Sequence, residues 1–200
     1  MRFLPQAFRR SAHDARSNTG RSAARIARQG FDGTSLSQIA GDVGIKAPSI
    51  YAHFKNKEQL FLGLLPVAIE HEIDYMRQSL SADGDPAERL FRFLKEIETR
   101  GESSPHALFL LRMAYIPPPD LAAAAAVKPF TDEYMDAMER LICGIFRDIP
   151  RGKLATGTLA GAYLGIIDSL QAEILYGGKT RFRKRLKALW AVFALGLEVS

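Results

Sequence analysis

Cysteine occurs once in 200 residues, at Cys143. No disulfide can form within the chain, and no cysteine-rich zinc site is available. Long apolar runs are also missing. The stretch from Ala188 to Leu197 is about ten residues, roughly half of what a helix needs to cross a bilayer. The apolar patch at the N-terminus is broken by Pro5 and then by Arg9-Arg10, so no secretion signal is visible. No segment alternates apolar and polar residues for long enough to argue for a sheet. There is no glycine-rich phosphate loop. The four histidines, His13, His53, His71 and His106, are scattered, and Cys143 has no sequence-local partner for nucleophilic chemistry. In Glu70-His71-Glu72 with Asp74, only Glu70 and Asp74 share a helical face. These absences lead to the expectation of a soluble cytoplasmic protein that is not an enzyme and holds no metal, cofactor or membrane anchor.

What is present is apolar surface and positive charge. Apolar residues make up 47% of the chain, enough for a real core, and the formal net charge is +5. The charge is unevenly placed. Residues 1–60 hold ten basic and four acidic side chains, whereas residues 61–200 hold 17 and 18. A basic head on a near-neutral body suggests an anionic partner for the head.

Helical periodicity runs almost throughout, so the fold class is all-α. Breakers at Gly30 to Gly33, Gly44, Lys55-Asn56, Asp83 to Pro86, Gly101 to Pro105, Pro117 to Pro119, Pro150 to Gly152 and Gly177-Gly178 leave about nine helices. Segments before Phe54 are short and several after it are long. This predicts a head over residues 1–56 and a body over residues 57–200. The first long helix starts near Lys57, with Pro66 inside it. Pro86 opens the next, and Ala122 to Ala126 joins a helix that continues past Pro129.

The most informative segment is Thr34 to Tyr51. Ser35 and Gln38 have the spacing of a capping box. Leu36, Ile39, Ala40 and Val43 form an apolar face, Gly44 suits a left-handed helix end, and Ile45 fills the corner. Ile50 and Phe54 then seat a second helix, Ala47 to Phe54, while Ser49, Tyr51 and His53 point outward. This is helix-turn-helix architecture, which places a short helix in the major groove of DNA.

The run from Gly30 to Phe61, GFDGTSLSQIAGDVGIKAPSIYAHFKNKEQLF, resembles the DNA-binding signature of the TetR/AcrR family of bacterial transcriptional regulators. The shared positions are Gly30-Phe31, Thr34, Ile39-Ala40, Gly44-Ile45, Tyr51, His53-Phe54, Lys57-Glu58 and Leu60. The resemblance implies a three-helix DNA-binding head, a helical body for ligand binding and dimerisation, and a homodimeric repressor. A small apolar or amphipathic molecule would release it from a near-palindromic double-stranded operator. It puts Ser35 near a phosphate, Ala47 and Pro48 at the groove, Ser49, Tyr51 and His53 along the backbone, and Lys57 at the start of the connector helix. Hydroxyls, an imidazole and an ammonium suit phosphate oxygens. Ala47 and Pro48 offer bases only apolar contact, and Lys46 adds a polar one.

Two departures from the family pattern stand out. Lys46 occupies a position where Ser or Thr often caps the recognition helix. In the first helix, Asn18, Thr19, Ser22 and Arg25 stand where the family has mostly apolar or small residues, and Gly20 weakens the helix further. The expectation is a poorly ordered arm over residues 1–20 and a helix that starts after it.

In the body, Phe91, Phe109, Met113, Tyr134, Met138 and Tyr163 are the expected ligand-binding residues. Leu164, Ile167, Leu175, Leu186, Trp190 and Phe193, on two C-terminal helices, are the expected dimer interface. The basic run Arg181 to Lys187 reads as a solvated helix start, and Asp168 and Glu173 as interface or surface carboxylates. A helical small-molecule-binding protein, or an enzyme that keeps a DNA-binding head without operator specificity, is the alternative.

Overall fold

Cα geometry and hydrogen bonding in a computed structural model describe residues 12–81, 83–118, 121–149 and 154–197. Residues 1–11 of the expected arm, Pro119 and the breaker at 150–152 lie outside the described residues. Among the described residues there are nine helices and no strand: α1 (Ala12–Gln29), α2 (Leu36–Val43), α3 (Ala47–Tyr51), α4 (Lys57–Leu80), α5 (Pro86–Ser103), α6 (Pro105–Tyr115), α7 (Leu121–Asp148), α8 (Thr156–Tyr176) and α9 (Gly178–Leu197). None of them is long and apolar enough to cross a membrane.

The chain forms two compact units. The first runs to Glu72 and includes Ser104–Asp132, and the second comprises Ile73–Ser103 with residues from Glu133 onward. The division by packing therefore falls inside α4 and α7, whereas the sequence pattern marks residue 57, where the long connector helix begins. The reason is the first half of α4. Leu60, Phe61, Leu64, Leu65 and Ala68 are all buried there, and the Phe61 ring meets Phe31 at 5.0 Å and Phe109 of α6 at 5.5 Å, both edge-on. Each leucine or phenylalanine side chain removed from water contributes roughly 1.5–3 kcal/mol, so this half of α4 is core of the first unit.

The first helix corrects an expectation. α1 begins at Ala12, earlier than the apolar count of its sequence suggests. Thr19 and Ser22 are fully buried in it beside Ala23, Ile26 and Ala27. The Ser22 hydroxyl donates to the Asn18 carbonyl at 2.9 Å, so its polar atom is satisfied within its own helix. Gly20 costs helix propensity, yet a Cβ there would lie 3.7 Å from Cε1 of His106, so α6 passes close to this point. Arg25, which breaks the apolar pattern, grips Asp42 of α2 with two guanidinium nitrogens. Arg21 adds a bond to the Asp42 carbonyl at 3.2 Å.

The turn from α1 to α2 is tightly specified. Gly30 has φ 77°, and the Thr34 hydroxyl donates to the Gly30 carbonyl at 2.8 Å. A Cβ on Gly33 would stand 2.5 Å from the Gln29 carbonyl oxygen, a backbone atom that cannot step aside. Buried Glu72 of α4 accepts from the hydroxyl of Ser104, which also caps α6 by accepting from the Ala107 N–H. His71 lies against His106, with ring centroids 4.4 Å apart.

In the second unit, α5, α7, α8 and α9 share a core that includes Leu90, Leu94, Met138, Ile142, Phe146, Tyr163 and Phe193. Tyr163 is buried, donates to the Leu90 carbonyl at 2.8 Å, and has its phenol pushed well above the ordinary range by burial. Pro66 and Pro129 lie inside α4 and α7, and both helices are continuous through them. Pro86 opens α5, where Asp85 accepts from the Glu88 N–H at 3.0 Å.

Two predictions follow from this packing. Gly33→Ala is expected to lower stability by about 1–3 kcal/mol through overpacking. Gly41→Ala, on an exposed helical position with nothing within 4 Å of the added Cβ, is expected to raise it by about 0.5–1 kcal/mol. Urea denaturation with unchanged slope measures both. The second concerns Asp42, whose carboxyl is held below the ordinary carboxylate range chiefly by the Arg25 hydrogen bond. A lowered folded-state pKa stabilises the fold above the unfolded value of about 3.9 and is lost as pH falls through the folded value. Asp42→Asn is therefore expected to be less stable than the parent at pH 7, with the difference closing at lower pH. A difference of the same size in acid as at neutrality would contradict it.

Candidate nucleic-acid interface

The helix-turn-helix is built by local bonds that the sequence announces. Ser35 is extended and accepts from the Gln38 N–H at 3.2 Å, while the Ser35 N–H donates to the Gln38 side chain at 2.9 Å, closing the capping box. Leu36, Ile39, Ala40 and Val43 are buried as expected. Gly44 has φ 74°, and the next N–H, that of Ile45, donates to the Ala40 carbonyl at 2.9 Å. The chain then turns into α3 at Lys46, which occupies the N-cap with no side-chain cap bond, followed by Pro48 in the first turn.

α3 is shorter than expected. It spans Ala47–Tyr51, although Phe54 still donates to the Ile50 carbonyl at 3.0 Å and His53 to the same oxygen at 3.1 Å. The helical course thus loosens after Tyr51 rather than continuing regularly to Phe54. Its seat is as read from sequence, with Ile50 and Phe54 buried. Facing outward are Lys46, Pro48, Ser49, Tyr51 and His53, all exposed, and Ser35 from the start of α2, while Ala47 is half-buried. Tyr51 leaves 54% of its surface in solvent. Its hydroxyl stands 3.5 Å from that of Ser37, at the outer limit of a hydrogen bond. Ser37 joins the exposed face but was not among the expected residues. Its signal in sequence is only its place two residues past the cap.

The rigid platform thus presents an exposed row of donors. Hydroxyls, an imidazole and the Lys46 ammonium suit phosphate oxygens and base edges, and no acidic side chain lies between Val43 and Asn56. Not every cation of the head faces outward, however. Arg25 is held by Asp42, and the Lys57 ammonium donates to the Phe31 carbonyl at 2.6 Å. Arg28, Lys46 and Lys55 are exposed.

α4 begins with its own cap. The Asn56 side chain accepts from the Gln59 N–H at 2.8 Å, and the Gln59 side chain accepts from the Lys55 N–H at 2.8 Å. The joint between α3 and α4 is closed by bonds on both sides.

Elsewhere the expected residues scatter. Phe109 and Met113 are buried in the first unit, whereas Phe91, Tyr134, Met138 and Tyr163 belong to the second, so the six are not one set. Within the second unit Phe91 stacks near Trp190, with centroids 5.0 Å apart. Of the expected dimer residues, Ile167, Leu186 and Phe193 are core of the second unit, and Leu164, Leu175 and Trp190 are half-buried. Helical spacing identifies an apolar side but not which apolar side faces the core. The exposed side of α9 carries Ala188, Ala191, Val192 and Leu195, and that of α8 carries Gly157, Gly161 and Gly165.

The basic run at the start of α9 is matched by acids. Arg181 and Arg185 both reach Glu173, at 3.3 and 2.7 Å, Arg183 reaches Glu98 at 3.1 Å, and Lys179 reaches Glu102 at 2.9 Å. Glu173 is buried, which corrects its reading as a surface or interface carboxylate. A Cβ on Gly177 would fall 1.4 Å from its carboxylate oxygen, so the acid occupies room that only glycine leaves open.

With this geometry, comparison with known proteins is specific. Residues 22–64, α1 from Ser22 through the first half of α4, match the family described as bacterial regulatory proteins, tetR family. The chain is 31% identical over 79 residues to the biofilm operon icaADBC negative transcriptional regulator IcaR of Staphylococcus epidermidis, covering 38% of this chain and 42% of that one. It is 27% identical over 121 residues to the transcriptional activator FasR of Mycolicibacterium smegmatis, covering 57% of this chain and 52% of that one. The chain thus spans about half the length of the curated relatives it matches. Its fold resembles that of the transcriptional regulator FadR from Bacillus subtilis, solved with stearoyl-CoA, with a TM-score of 0.63 at 17% identity, covering 90% of this chain and 98% of that one. The capped α2 and the short α3 on its buried seat both fall within the matched span, so residues 22–64 are similar to the helix-turn-helix head of the tetR family.

Proposed function

We propose that the protein is a homodimeric regulator of transcription in the cytoplasm. It binds a near-palindromic double-stranded operator through α3 and lets go when a small apolar or amphipathic molecule binds the body. The observation that carries this reading is the exposed polar face of α3, set rigidly by buried Ile50 and Phe54. In this reading Ser35, Ser49, Tyr51 and His53 hold phosphates, and Lys46, Ala47 and Pro48 face bases. The head runs to residue 56, and residues 57–200 serve ligand binding and dimerisation. The activity is binding, with no reaction catalysed.

Repression is the direction we favour, since IcaR, the negative regulator, is the more identical of the two relatives. FadR's complex with stearoyl-CoA supports an acyl thioester as the first class of effector to try. Within the second unit, Phe91, Tyr134, Met138 and Tyr163 supply the apolar surface for it; Phe109 and Met113, core of the other unit, do not enter the proposal. The effector must bind the form that releases DNA more tightly than the form that holds it, because equal affinity shifts nothing. For pairing of two copies we propose the exposed sides of α8 and α9, with Val192 and Leu195 at 71% and 67% exposure as its apolar centre and half-buried Leu164, Leu175 and Trp190 beside it.

The test begins with DNA fragments recovered from a genomic pool by the purified protein. One sequence class is expected to be enriched, with two half-sites about one helical turn or a multiple of it apart. Replacing Lys46 or Pro48 is expected to change preference at particular base pairs, each worth about 1–3 kcal/mol, while Tyr51→Phe is expected to weaken all sequences alike. Val192→Glu is expected to yield monomers in sedimentation and to lower operator affinity at least about tenfold, roughly 1.4 kcal/mol. Equal binding to every sequence would favour the alternative of a head without operator specificity.

A further inference from the structure

Lys57 is the first residue of α4 and the cation that the family pattern directs at a DNA phosphate. A positive charge in the first turn of a helix opposes that helix's own dipole, so nearby acceptors are favourable there. Within the first unit such acceptors are already supplied. The ammonium donates to the Phe31 carbonyl at 2.6 Å, lies 3.4 Å from the Asp32 carbonyl, and sits over the Phe31 ring, 4.3 Å from its centroid. Both carbonyls belong to the turn just past the end of α1, near the negative end of that helix's dipole.

The surroundings of Phe31 make this more than a single bond. Phe61, one helical turn along α4 from Lys57, meets the Phe31 ring edge-on with centroids 5.0 Å apart. Both α4 side chains therefore contact the same aromatic ring, an ammonium over its face and a second ring in T-shaped contact with it. The Phe31 carbonyl also accepts from the Thr34 N–H at 3.3 Å, so the same oxygen serves the entry to α2. The turn held in this way leads directly into the capping box at Ser35, and the strand of bonds continues through α2 to α3.

We propose that Lys57 is a positioning residue: by clamping the Phe31 turn onto α4 it sets the placement of α2 and α3 for DNA, and its charge does not neutralise a phosphate. This inference rests on the DNA-binding reading above. It separates two roles that sequence alone merges, since an ammonium at a helix start suits either a phosphate or the carbonyl end of a neighbouring helix.

Salt dependence distinguishes the two. Each phosphate neutralised by the protein contributes about −0.9 to the slope of log affinity against log salt. Lys57→Met, Phe31→Leu and the double variant are compared with the parent by anisotropy on the recovered DNA, well below their unfolding temperatures. The clamp predicts that Lys57→Met lowers affinity about three- to tenfold with the salt slope unchanged. Phe31→Leu, which removes no charge, lowers affinity too, and Lys57→Met costs measurably less in the Phe31→Leu background. Lys57→Arg, which donates and stacks as lysine does, restores affinity and unfolding midpoint together. A slope shallower by about 0.9 in Lys57→Met, with effects that add to those of Phe31→Leu, overturns the inference. If Lys57→Met does not fold, Lys57→Gln takes its place in the same cycle. Failure of the parent to bind DNA at all would count against the proposed function instead, and the clamp would then stand or fall on non-additive unfolding midpoints in the same four proteins.

Discussion

A helix of five residues cannot hold itself together. Forming the first turn fixes several backbone angles for one hydrogen bond, so short helices are unstable in water and exist only where tertiary packing supports them. α3 is such a helix, and the organisation of the head answers that constraint. Ile50 and Phe54 anchor it from beneath. The Gly44 corner aims it, and the Asn56 and Gln59 caps finish the chain on its far side. α2 in turn is fixed by the Ser35–Gln38 box at one end and by Arg25 on Asp42 near the other. The element with the least internal stability is the one whose neighbours are most completely specified, and it is the element that presents the polar surface.

The charge of the molecule takes on a different meaning once its partners are known. A net +5 with a basic head reads as attraction for nucleic acid. Yet Arg25 serves α1–α2 packing, and the dense basic run of α9 is matched by Glu98, Glu102 and buried Glu173. Ion pairs at exposed sites add little stability, whereas a buried carboxylate without its cations would be costly. The α9 arginines are therefore partners required by Glu173 before they are anything else. Among the described residues of the head, Arg28, Lys46 and Lys55 are cations that do face outward, and for such side chains position matters as well as number.

Legibility in the sequence followed the range of the interactions. The capping box, the Gly44 turn, the buried face of α2 and the seat of α3 all depend on residues within a few positions of one another, and each was read correctly from spacing. α1 was misread because burial was judged by apolarity alone. Ser22 is buried with its hydroxyl satisfied by its own helix, and Gly20 lies beside a histidine of α6 far along the chain. The carbonyl contact of Lys57 is equally invisible to spacing, since its partner lies 26 residues earlier in a turn. In the body, helical spacing identified apolar stripes on α8 and α9, but Ile167, Leu186 and Phe193 proved to be core while Val192 and Leu195 are exposed. A helix that is apolar on more than one side gives no internal clue to which side packs inward.

The Arg25–Asp42 pair also shapes how such a sequence can change. Neither residue is fully exposed, so losing one leaves the other partly desolvated without its partner, and a single substitution at either position is worse than the simultaneous loss of both. An apolar contact between the same two helices would serve equally well, but the path to it runs through a less stable intermediate. The two positions, one in each of the first two helices, are in that sense a single inherited character: a descendant keeps both charges or exchanges both.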